Sequence, residues 1–376
     1  MRAYLERLVR RNSLTREEAR AALTAVVEGE ATPVQAAALL TALRAKGEDV
    51  EEVLGFVETL RAYARPFPSF PGAVDTAGTG GDGGITYNVS TAAALVAASA
   101  GVPVIKHGNR AASGRSGSAD ALEGLGFPVQ LSAEGQRRLA EELGFAFLFA
   151  PLYHPAMARL RDVRRELGIP TVMNFLGPLT NPAGVRRQVL GVSAPERLEF
   201  IAEVLRRLGV EHALVVSGAC GGEVGRALDE VSVFGPTRVA EIRGDRTETY
   251  VLDPADLGLP RFACEEVTRV EAETAGAFLR ALLGAGAEEN GARHASGRRA
   301  AGRGAPTEAD RALLYANAGA VLYVAGFVPS LAEGVRRARE VVEGETTSAY
   351  LERLLRRAAE LRRREGDVPD AAPTAG

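Results

Sequence analysis

The chain has 376 residues, of which 46% are hydrophobic and 25% charged, a composition typical of a globular protein and not of a disordered chain or a fibre. Its 45 basic and 48 acidic residues give a net charge of −3, which provides no general attraction to nucleic acid. The longest apolar stretch, roughly residues 91–105, is too short to cross a bilayer, and the charged N-terminus lacks a signal-peptide core. Two cysteines exclude a disulfide framework and a four-cysteine zinc site. We therefore expect a cytoplasmic protein of enzyme size.

Arginine supplies almost all of the positive charge, because only Lys46 and Lys106 are lysine. The many alanines and glycines beside this arginine bias indicate a GC-rich genome. Since arginine serves for most surface charge, each lysine that is retained becomes a candidate for a specific role.

Residues 1–65 predict helices only. Capping signals stand at Thr15, Thr32 and Asp49, and the second is followed by proline at the first helical position. Apolar residues then recur at the three- and four-residue spacing of helices that pack on one another. The proline-rich segment 66–72 ends this pattern and is typical of a linker.

Beyond residue 72, short apolar runs alternate with helical stretches, which predicts an α/β domain with a mostly parallel sheet. The predicted strands are Ala73–Val74, Val102–Ile105, Ala146–Ala150, Thr171–Phe175, Val189–Val192, Ala213–Val216 and Val231–Phe234. Residues 285–306 are rich in Gly, Ala and Arg without periodicity, which predicts a flexible loop. A last amphipathic helix, about 347–364, precedes a Pro/Ala tail at 365–376 that we expect to be disordered.

The first segment that carries chemistry runs from Asp75 to Thr91, between a predicted strand and a helix that begins near Ser90. Its glycines let backbone amides approach an anion, and the helix start adds free N–H groups and a positive dipole end. The side chains of Asn88, Ser90 and Thr91 suit a phosphate or a hydrated metal. The segment therefore predicts an anion site.

Gly78, Gly80 and Gly83 also form a G-x-G-x-x-G pattern, so a dinucleotide site has to be considered. That site needs an acidic residue about 20 positions further on, whereas the next strand ends in Lys106-His107. No Gly-Lys-Ser/Thr follows the glycines, which excludes a P-loop. An ordinary glycine turn stays open but does not account for so many glycines, acids and hydroxyls together.

The second segment, Lys106 to Asp120, follows the strand Val102–Ile105 and so also lies at a carboxyl edge of the sheet, where α/β proteins bind ligands. It combines a lysine, a histidine, two arginines and several hydroxyl groups. This dense set suits a pyrophosphate or a phosphosugar better than it suits a solvated basic loop.

Together these segments resemble those of the anthranilate phosphoribosyltransferases, enzymes of the tryptophan pathway. The GTGGDG..T.N.ST motif at residues 78–91, the KHGNR motif at 106–110 and the GSAD motif at 117–120 occur in the family's order and spacing. The resemblance continues at residues 154–157, 164–182, 228–232 and 317–326, and it covers roughly residues 1–350.

The resemblance implies an α/β fold class with a small all-helical domain on a larger α/β domain that has a mostly parallel central sheet. The helical domain would comprise residues 1–65 with about 166–183, and the α/β phosphoribosyl-binding domain 66–165 with about 184–364. The active site would lie in the cleft between them. A homodimer through the helical domain is also implied, to which apolar residues such as Leu5 and Leu8 would contribute.

The family transfers phosphoribose from phosphoribosyl pyrophosphate (PRPP) to the amine of anthranilate, with Mg²⁺, and releases pyrophosphate. The residues that would hold PRPP are Gly78, Gly81, Asp82, Thr86, Asn88, Ser90, Thr91, Lys106 and Ser118. Anthranilate would contact Gly78, His107, Asn109 and Arg164, and Mg²⁺ would be held by Ser90, Asp229 and Glu230. No acid or base is assigned, because an aniline nitrogen is nucleophilic without prior deprotonation.

Some of these residues fit other roles when taken alone. Asp229-Glu230 alone would more often be a solvated loop pair than a metal site, and Arg164 could pair with Glu166 or with a helix terminus. The chain also departs from the family pattern: Gly114 replaces a serine, residues 217–227 form a longer loop without the family's histidine, and 285–306 is expanded.

Two alternatives stay open. A pyrimidine nucleoside phosphorylase also binds phosphate at a glycine loop, but that family lacks the KHGN sequence and the Asp-Glu pair. A non-catalytic, nucleic-acid-binding relative would use Arg293, Arg298, Arg299 and Arg303. The intact PRPP and magnesium motifs argue against this second alternative, so we expect neither nucleic acid nor a membrane as a partner.

Overall fold

The structure, a computed structural model, describes residues 1–81, 83–111, 116–221, 227–284 and 305–365. Most of the loop predicted at 285–306 and the tail after residue 365 lie outside the described residues, so those two expectations stay predictions. The same holds for Asp82, for Gly114 and for the four arginines of the Arg/Gly segment.

The N-terminal part is helical, as the sequence predicts. Each predicted capping signal is present: the side chains of Thr15 and Thr32 accept hydrogen bonds from the backbone N–H groups of Glu18 and Gln35, and Asp49 closes a third capping box. The helices are α1 (Arg2–Val9), α2 (Arg16–Glu28), α3 (Pro33–Lys46) and α4 (Val50–Ala62).

The described strands form one sheet. They are β1 (Val74–Gly78), β2 (Val104–Gly108), β3 (Phe145–Phe149), β4 (Arg187–Gly191), β5 (His212–Ala219), β6 (Ala227–Leu228), β7 (Thr237–Arg243) and β8 (Arg246–Leu252). Their order is β3-β2-β1-β4-β5-β7-β8, with β6 paired to β5. β1 to β5 are parallel, whereas β6, β7 and β8 pair in the antiparallel sense. The prediction of a mostly parallel sheet is therefore confirmed.

Helices cover both faces of the sheet. α5 and α13 are buried along most of their length, which explains why their sequences are apolar without a clear polar face. The helices are α5 (Val89–Ser99), α6 (Ser118–Gly124), α7 (Ala133–Leu143), α8 (Ala150–Tyr153), α9 (Ala158–Leu167), α10 (Met173–Leu176), α11 (Leu198–Arg207), α12 (Ala272–Leu282), α13 (Glu308–Val324), α14 (Leu331–Glu343) and α15 (Thr346–Glu365). Among the described residues, none of the helices is both long and apolar enough to span a membrane.

Two large clusters of buried side chains form the core. One surrounds α5 and α13 on one face of the sheet. The other joins α1 to α4 with α9, α10 and α11 and with the opposite face of the sheet, where Leu190 and Val215 lie. The N-terminal helices therefore share a core with residues from the middle of the chain.

Two predicted strands are wrong. Thr171–Phe175 lies at the start of α10, where the Asn174 side chain accepts the Thr171 N–H and replaces a strand partner. Val231–Phe234 is buried but unpaired in the sheet, because the side chains of Asn317 and Thr237 accept the N–H groups of Val231 and Ser232. A short apolar run does not distinguish such segments from strands.

Lys46, one of the two lysines, has a structural role. Its ammonium group lies 2.9 Å from the Glu52 carboxylate, and the two side chains are 6% and 2% exposed. It also donates to the hydroxyl of Ser13, while Glu52 accepts the backbone N–H groups of Leu14 and Asp49. The pair therefore fixes the turn between α3 and α4 to the segment before α2.

Capping of α3 gives the first testable prediction. Thr32→Ala removes the side chain that satisfies the N–H of Gln35, so we expect the free energy of unfolding to fall by about 1 kcal/mol. Thr41 is exposed in the interior of the same helix and is the matched control, since Thr41→Ala should be neutral or slightly stabilising. Urea unfolding monitored by circular dichroism measures both, and equal effects of the two changes would contradict the capping role.

Candidate functional site

Several predicted site residues, among them Gly78 and Lys106, lie in or just after the carboxyl ends of the parallel strands β1 and β2, whereas Arg164 lies on α9. β1 is flanked by β2 on one side and by β4 on the other, so the chain reverses its direction of progress across the sheet at this point. α/β proteins bind ligands at the carboxyl ends of strands that meet in this way. The loops after β1, β2, β4 and β5 all reach this edge.

The glycine segment after β1 takes a backbone path that other residues resist. Gly80, Gly81, Gly83 and Gly84 have φ angles of 67°, 91°, 80° and 66°. Side chains disfavour these left-handed values, so the run of glycines is required by the conformation. The Thr79 N–H donates to the Gly191 carbonyl at 2.9 Å, which holds the start of the loop against β4.

Asp229 packs directly against this glycine loop. Its Oδ2 accepts the Gly80 N–H at 2.7 Å. A Cβ atom on Gly78 would lie 2.0 Å from the same carboxylate oxygen, and one on Gly191 would lie 1.6 Å from the Asp229 carbonyl oxygen. The absence of side chains at the ends of β1 and β4 therefore allows the predicted metal ligand to lie beside the predicted PRPP loop.

Lys106, the second lysine, is 1% exposed in β2. Its ammonium group donates to the Thr76 carbonyl and to the Ser90 hydroxyl, the latter at 3.3 Å. Burial lowers the pKa of Lys106, and the nearby charges of Asp75 and Glu230 partly restore it. The structure thus joins two predicted site residues, Lys106 and Ser90, by a hydrogen bond, and the charge of a third, Glu230, acts on Lys106.

Asp75 lies near Lys106 and accepts a hydrogen bond from His107, but it was not predicted as a site residue. It is fully buried, and burial raises the pKa of its carboxyl group while Lys106 opposes that rise. Its two oxygens accept hydrogen bonds from the His107 N–H at 3.3 Å and from the Asn181 amide at 2.8 Å. The only sequence signal was its position at the start of the glycine segment.

The N-terminus of α5 faces the same loops. Asn88 stands at its N-cap but makes no capping bond, and its amide donates instead to the Ser116 carbonyl at 3.0 Å. The Thr91 hydroxyl in the first turn is buried and has no hydrogen-bond partner among the described residues. These groups are suited to an anion, because free N–H groups and the helix dipole favour negative charge.

The remaining predicted PRPP residues, apart from Asp82, belong to the segments that follow β1 and β2. Gly81 is exposed and Thr86 is half-buried in the glycine segment. The Ser118 hydroxyl donates to the Asn109 carbonyl at 3.2 Å, across the loop that follows β2. Asp82 lies outside the described residues, so its placement stays a prediction.

His107 has one ring nitrogen that is buried without a partner. Nδ1 lies 3.2 Å from the Gly177 carbonyl, whereas Nε2 makes no hydrogen bond among the described residues. Burial, and then the neighbouring His154 ring at 5.0 Å, lower the pKa of His107 to about 3. The ring is therefore neutral, and because a carbonyl only accepts, Nδ1 carries the proton and Nε2 is an acceptor.

Arg164 and Arg165 are adjacent on α9 but differ in their surroundings. Arg165 is exposed and pairs with Asp162 at 2.7 Å. Arg164 is half-buried, and burial is the sole cause that lowers its pKa, with no carboxylate among the described residues to offset it. The predicted alternative of a pair with Glu166 is not seen there, whereas the other alternative, a place at a helix terminus, agrees with its position in the last turn of α9. Arg164 is thus a cation suited to an incoming carboxylate.

The acidic pair has a support that lies far away in the sequence. Asn317 on α13 accepts the Val231 N–H at 2.9 Å and donates to the Val231 carbonyl at 3.0 Å. Cys220 and Cys264 form a disulfide near the same segment, with their Cα atoms 5.5 Å apart. Two cysteines exclude only a framework of several disulfides, and this single bond was not predicted from the sequence.

The donor set fits a magnesium ion that shares its coordination with substrate phosphates. Over the described ranges, no group of three or more His, Cys, Asp or Glu side chains is placed to hold a metal. Asp229 offers a hard oxygen ligand beside the glycine loop, and Ser90 and Glu230 offer further oxygens near Lys106. Mg²⁺ is commonly bound by one or two carboxylates together with phosphate oxygens and water, so two carboxylates are enough for an ion that takes its other ligands from substrate and solvent.

Known proteins share this architecture and sequence. Models of the glycosyl transferase family match the chain with its α/β domain at residues 71–347 and with its helical bundle domain at residues 2–64. The anthranilate phosphoribosyltransferase of Rubrobacter xylanophilus is 45% identical over 95% of this chain and 97% of that protein. That of Haloarcula marismortui is 44% identical over 94% and 99%. The chain belongs to the anthranilate phosphoribosyltransferase family.

Solved structures of the family have the same fold as this chain. The crystal structure of the Thermus thermophilus enzyme has a TM-score of 0.81 and 40% identity, covering 95% of this chain and 99% of that one. The Saccharomyces cerevisiae enzyme, solved in complex with PRPP and Mg, has a TM-score of 0.79 over 95% and 97% at 24% identity, which shows a common fold. The family resemblance and the fold class predicted from the sequence are confirmed.

The neutral state of His107 leads to the second prediction. The unfolded chain takes up a proton on this ring below about pH 6.5, whereas the folded chain does so only near pH 3. The contribution of the neutral ring to the free energy of unfolding is therefore fully present above pH 6.5. It is lost as the pH falls from 6.5 toward 3, and the loss is about 2 kcal/mol at pH 5. Urea unfolding at pH 7 and pH 5 measures the loss. The variant His107→Gln lacks the titrating ring, so its free energy of unfolding should fall by about 2 kcal/mol less than that of the wild type between the two pH values. An identical loss in both proteins would show that His107 is charged when folded.

Proposed function

We propose that this enzyme transfers phosphoribose from PRPP to the amine of anthranilate, giving N-(5-phosphoribosyl)anthranilate and pyrophosphate in tryptophan biosynthesis. The observation that carries the proposal is the contact of the Asp229 carboxylate with the glycine loop at the switch point of the sheet. It joins an anion-binding loop to a magnesium ligand, a combination that a pyrophosphate-bearing substrate needs. The relatives named above support the same reaction.

PRPP would bind along the loops after β1 and β2. The backbone N–H groups of the glycine segment and of the first turn of α5 would receive its pyrophosphate, and the buried Thr91 hydroxyl would gain the partner that it lacks among the described residues. Lys106 adds a buried positive charge at the same place. The complete proposed set is Gly78, Gly81, Asp82, Thr86, Asn88, Ser90, Thr91, Lys106 and Ser118.

Magnesium would be held by Asp229 and Glu230, with the Ser90 hydroxyl as a further oxygen ligand. When bound, the ion neutralises the charge that develops on the departing pyrophosphate. The chain itself fixes the Asp229 carboxylate through the Gly80 N–H and keeps Ser90 in place through the ammonium group of Lys106. These contacts orient the oxygen ligands before the substrate arrives.

Anthranilate would bind between α9 and the loop after β2. Its carboxylate suits the Arg164 guanidinium, which has no carboxylate partner among the described residues and would form a charge-assisted hydrogen bond. The Nε2 acceptor of His107 suits an N–H of the anthranilate amine, which would point the nitrogen lone pair away from the histidine. Gly78 and Asn109 complete the proposed contacts.

The reaction then needs alignment and charge stabilisation more than proton transfer. The bond between the sugar C1 atom and the pyrophosphate oxygen breaks while the amine nitrogen forms a bond to C1. The nitrogen becomes positively charged as this bond forms and then releases one proton to the departing pyrophosphate or to water, which leaves the neutral secondary amine of the product. The carbon gains oxocarbenium character, and negative charge moves to the leaving group, where the glycine-loop N–H groups and Lys106 lie. Holding both substrates at fixed positions lowers the barrier further, because the encounter is no longer bimolecular.

The arrangement of the whole molecule is part of the proposal. We place residues 1–65 with about 166–183 in the helical domain and 66–165 with about 184–364 in the α/β domain, with the site in the cleft between them. A homodimer through the helical domain is supported by exposed Val9 and Val34, at 76% and 78%. Leu8, named above for that interface, is buried and serves the core. We place the enzyme in the cytoplasm.

The third prediction concerns activity. Purified enzyme should consume anthranilate, followed by its fluorescence, only when PRPP and Mg²⁺ are both present. The double variant Asp229→Asn with Glu230→Gln should lose turnover while keeping its melting temperature, since it removes like charge without creating a cavity. Full activity in EDTA, or phosphorolysis of thymidine or uridine at a comparable rate, would contradict the proposed reaction.

The fourth prediction separates the acceptor from the donor substrate. Arg164→Ala should raise the KM for anthranilate by roughly one to two orders of magnitude, the loss expected for a charge-assisted hydrogen bond, and should change the KM for PRPP little. Arg165→Ala is the control, because that side chain points about 100° away around the helix and pairs with Asp162 in solvent. A larger effect at Arg165, or equal effects on both substrates, would place the acceptor pocket elsewhere.

A further inference from the structure

The two cysteines of this chain are bonded to each other next to the acidic pair. Cys220 directly follows β5 and is 4% exposed, whereas Cys264 begins a short helical turn, Cys264–Glu266, and is half-buried. Their Cα atoms are 5.5 Å apart and they are separated by 44 positions in the sequence. This Cα distance lies in the usual range for disulfides, so the backbone accommodates the bond.

The strand end that bears Cys220 contacts the acidic segment, here defined as residues 229–233. The Ser232 hydroxyl donates to the carbonyl of Ala219, the residue before Cys220. A Cβ atom on Gly218 would lie only 2.5 Å from the Glu230 carbonyl oxygen. Any movement of this strand end is therefore transmitted to Glu230 and Ser232.

The segment that bears Cys264 contacts the other end of the acidic segment. The Phe262 N–H donates to the Val233 carbonyl at 3.0 Å, and the Thr307 hydroxyl donates to the Glu266 carbonyl at 3.1 Å. Thr307 is the N-cap of α13, the helix whose Asn317 binds Val231. The disulfide thus closes a ring of contacts around the acidic segment, and every other contact named in that ring is non-covalent.

We propose that Cys220 and Cys264 form a thiol–disulfide switch that controls how tightly the acidic segment binds PRPP with its metal ion. In the disulfide form, the ring is closed and Asp229 is held against the Gly80 N–H. In the dithiol form, the ring is open. The acidic segment then has to become ordered when PRPP binds, which lowers the affinity for PRPP. The inference rests on the proposed function, because it takes Asp229 and Glu230 as metal ligands.

The chemistry of the switch is thiol–disulfide exchange with a small disulfide such as glutathione disulfide. One protein thiolate attacks the small disulfide, forms a mixed disulfide and releases one glutathione thiol. The second protein thiolate then displaces the other glutathione, so two protein thiols are oxidised and one small disulfide is reduced to two thiols. Cys264 is the more exposed of the two cysteines, so a small thiol or disulfide reaches its sulfur first, whereas Cys220 is buried.

The test compares the two redox forms of the wild-type enzyme. Protein is equilibrated in glutathione buffers of graded thiol-to-disulfide ratio, and alkylation with mass spectrometry counts its free thiols. Isothermal titration with PRPP and Mg²⁺, without anthranilate, then measures affinity in each form. We expect the disulfide form to bind about three- to tenfold more tightly, and the KM for anthranilate to be unchanged.

Cys264→Ser and Cys220→Ala are the matched controls, and both should show the weaker affinity in every buffer. Near-UV circular dichroism of the reduced wild type checks that the fold persists, so the comparison does not depend on either variant. Equal PRPP affinity of the two redox forms, or thiols that never pair, would overturn the switch. An enzyme that binds PRPP in neither form would instead overturn the proposed function, and the switch with it.

Discussion

The close approach of Asp229 to the ends of β1 and β4 is the constraint on which the rest of the site depends. The carboxylate reaches the Gly80 N–H only because Gly78 and Gly191 have no side chains. This contact joins a loop near the start of the α/β region to a segment about 150 positions later. Every role that we propose for the glycine loop and for the acidic pair requires the two to be neighbours.

The charges around this contact are arranged before any substrate is present. Lys106 and Asp75 are both buried, and each opposes the effect of burial on the pKa of the other. His107 stays neutral beside them, so an acceptor nitrogen is available at neutral pH. Arg164 has no carboxylate partner among the described residues. Two cationic groups are therefore removed from solvent at the positions where we propose that the anionic substrates bind, and for Lys106 the neighbouring carboxylates offset part of the effect of burial.

Local patterns predicted much of this fold. The caps at Thr15, Thr32 and Asp49 were predictable because a cap depends on residues three positions apart. The glycine segment could be proposed as an anion site for the same reason, since its glycines and hydroxyl groups are contiguous in the sequence, and that role stays a prediction. The family resemblance added Asp229, Glu230 and Arg164, which are scattered, and without it their charges would be indistinguishable from surface charge.

The parts that the sequence did not predict depend on distant partners. Val231–Phe234 looks like a strand until Asn317, on α13, is seen to bind the Val231 backbone. The role of Lys46 depends on Ser13, which lies 33 positions earlier, and that of Asp75 depends on Asn181. Cys220 and Cys264 pair because β5 and the segment after β8 meet in space. Contacts of this kind produce no periodic pattern in the sequence around either partner.

The most direct test of the central claim is a crystal structure of the enzyme with PRPP and Mn²⁺, an anomalous scatterer that takes the same oxygen ligands as Mg²⁺. The account predicts an anomalous peak coordinated by the carboxylates of Asp229 and Glu230, with the pyrophosphate against the backbone N–H groups that follow Gly78. A metal bound away from both carboxylates, or a pyrophosphate at another edge of the sheet, would contradict it.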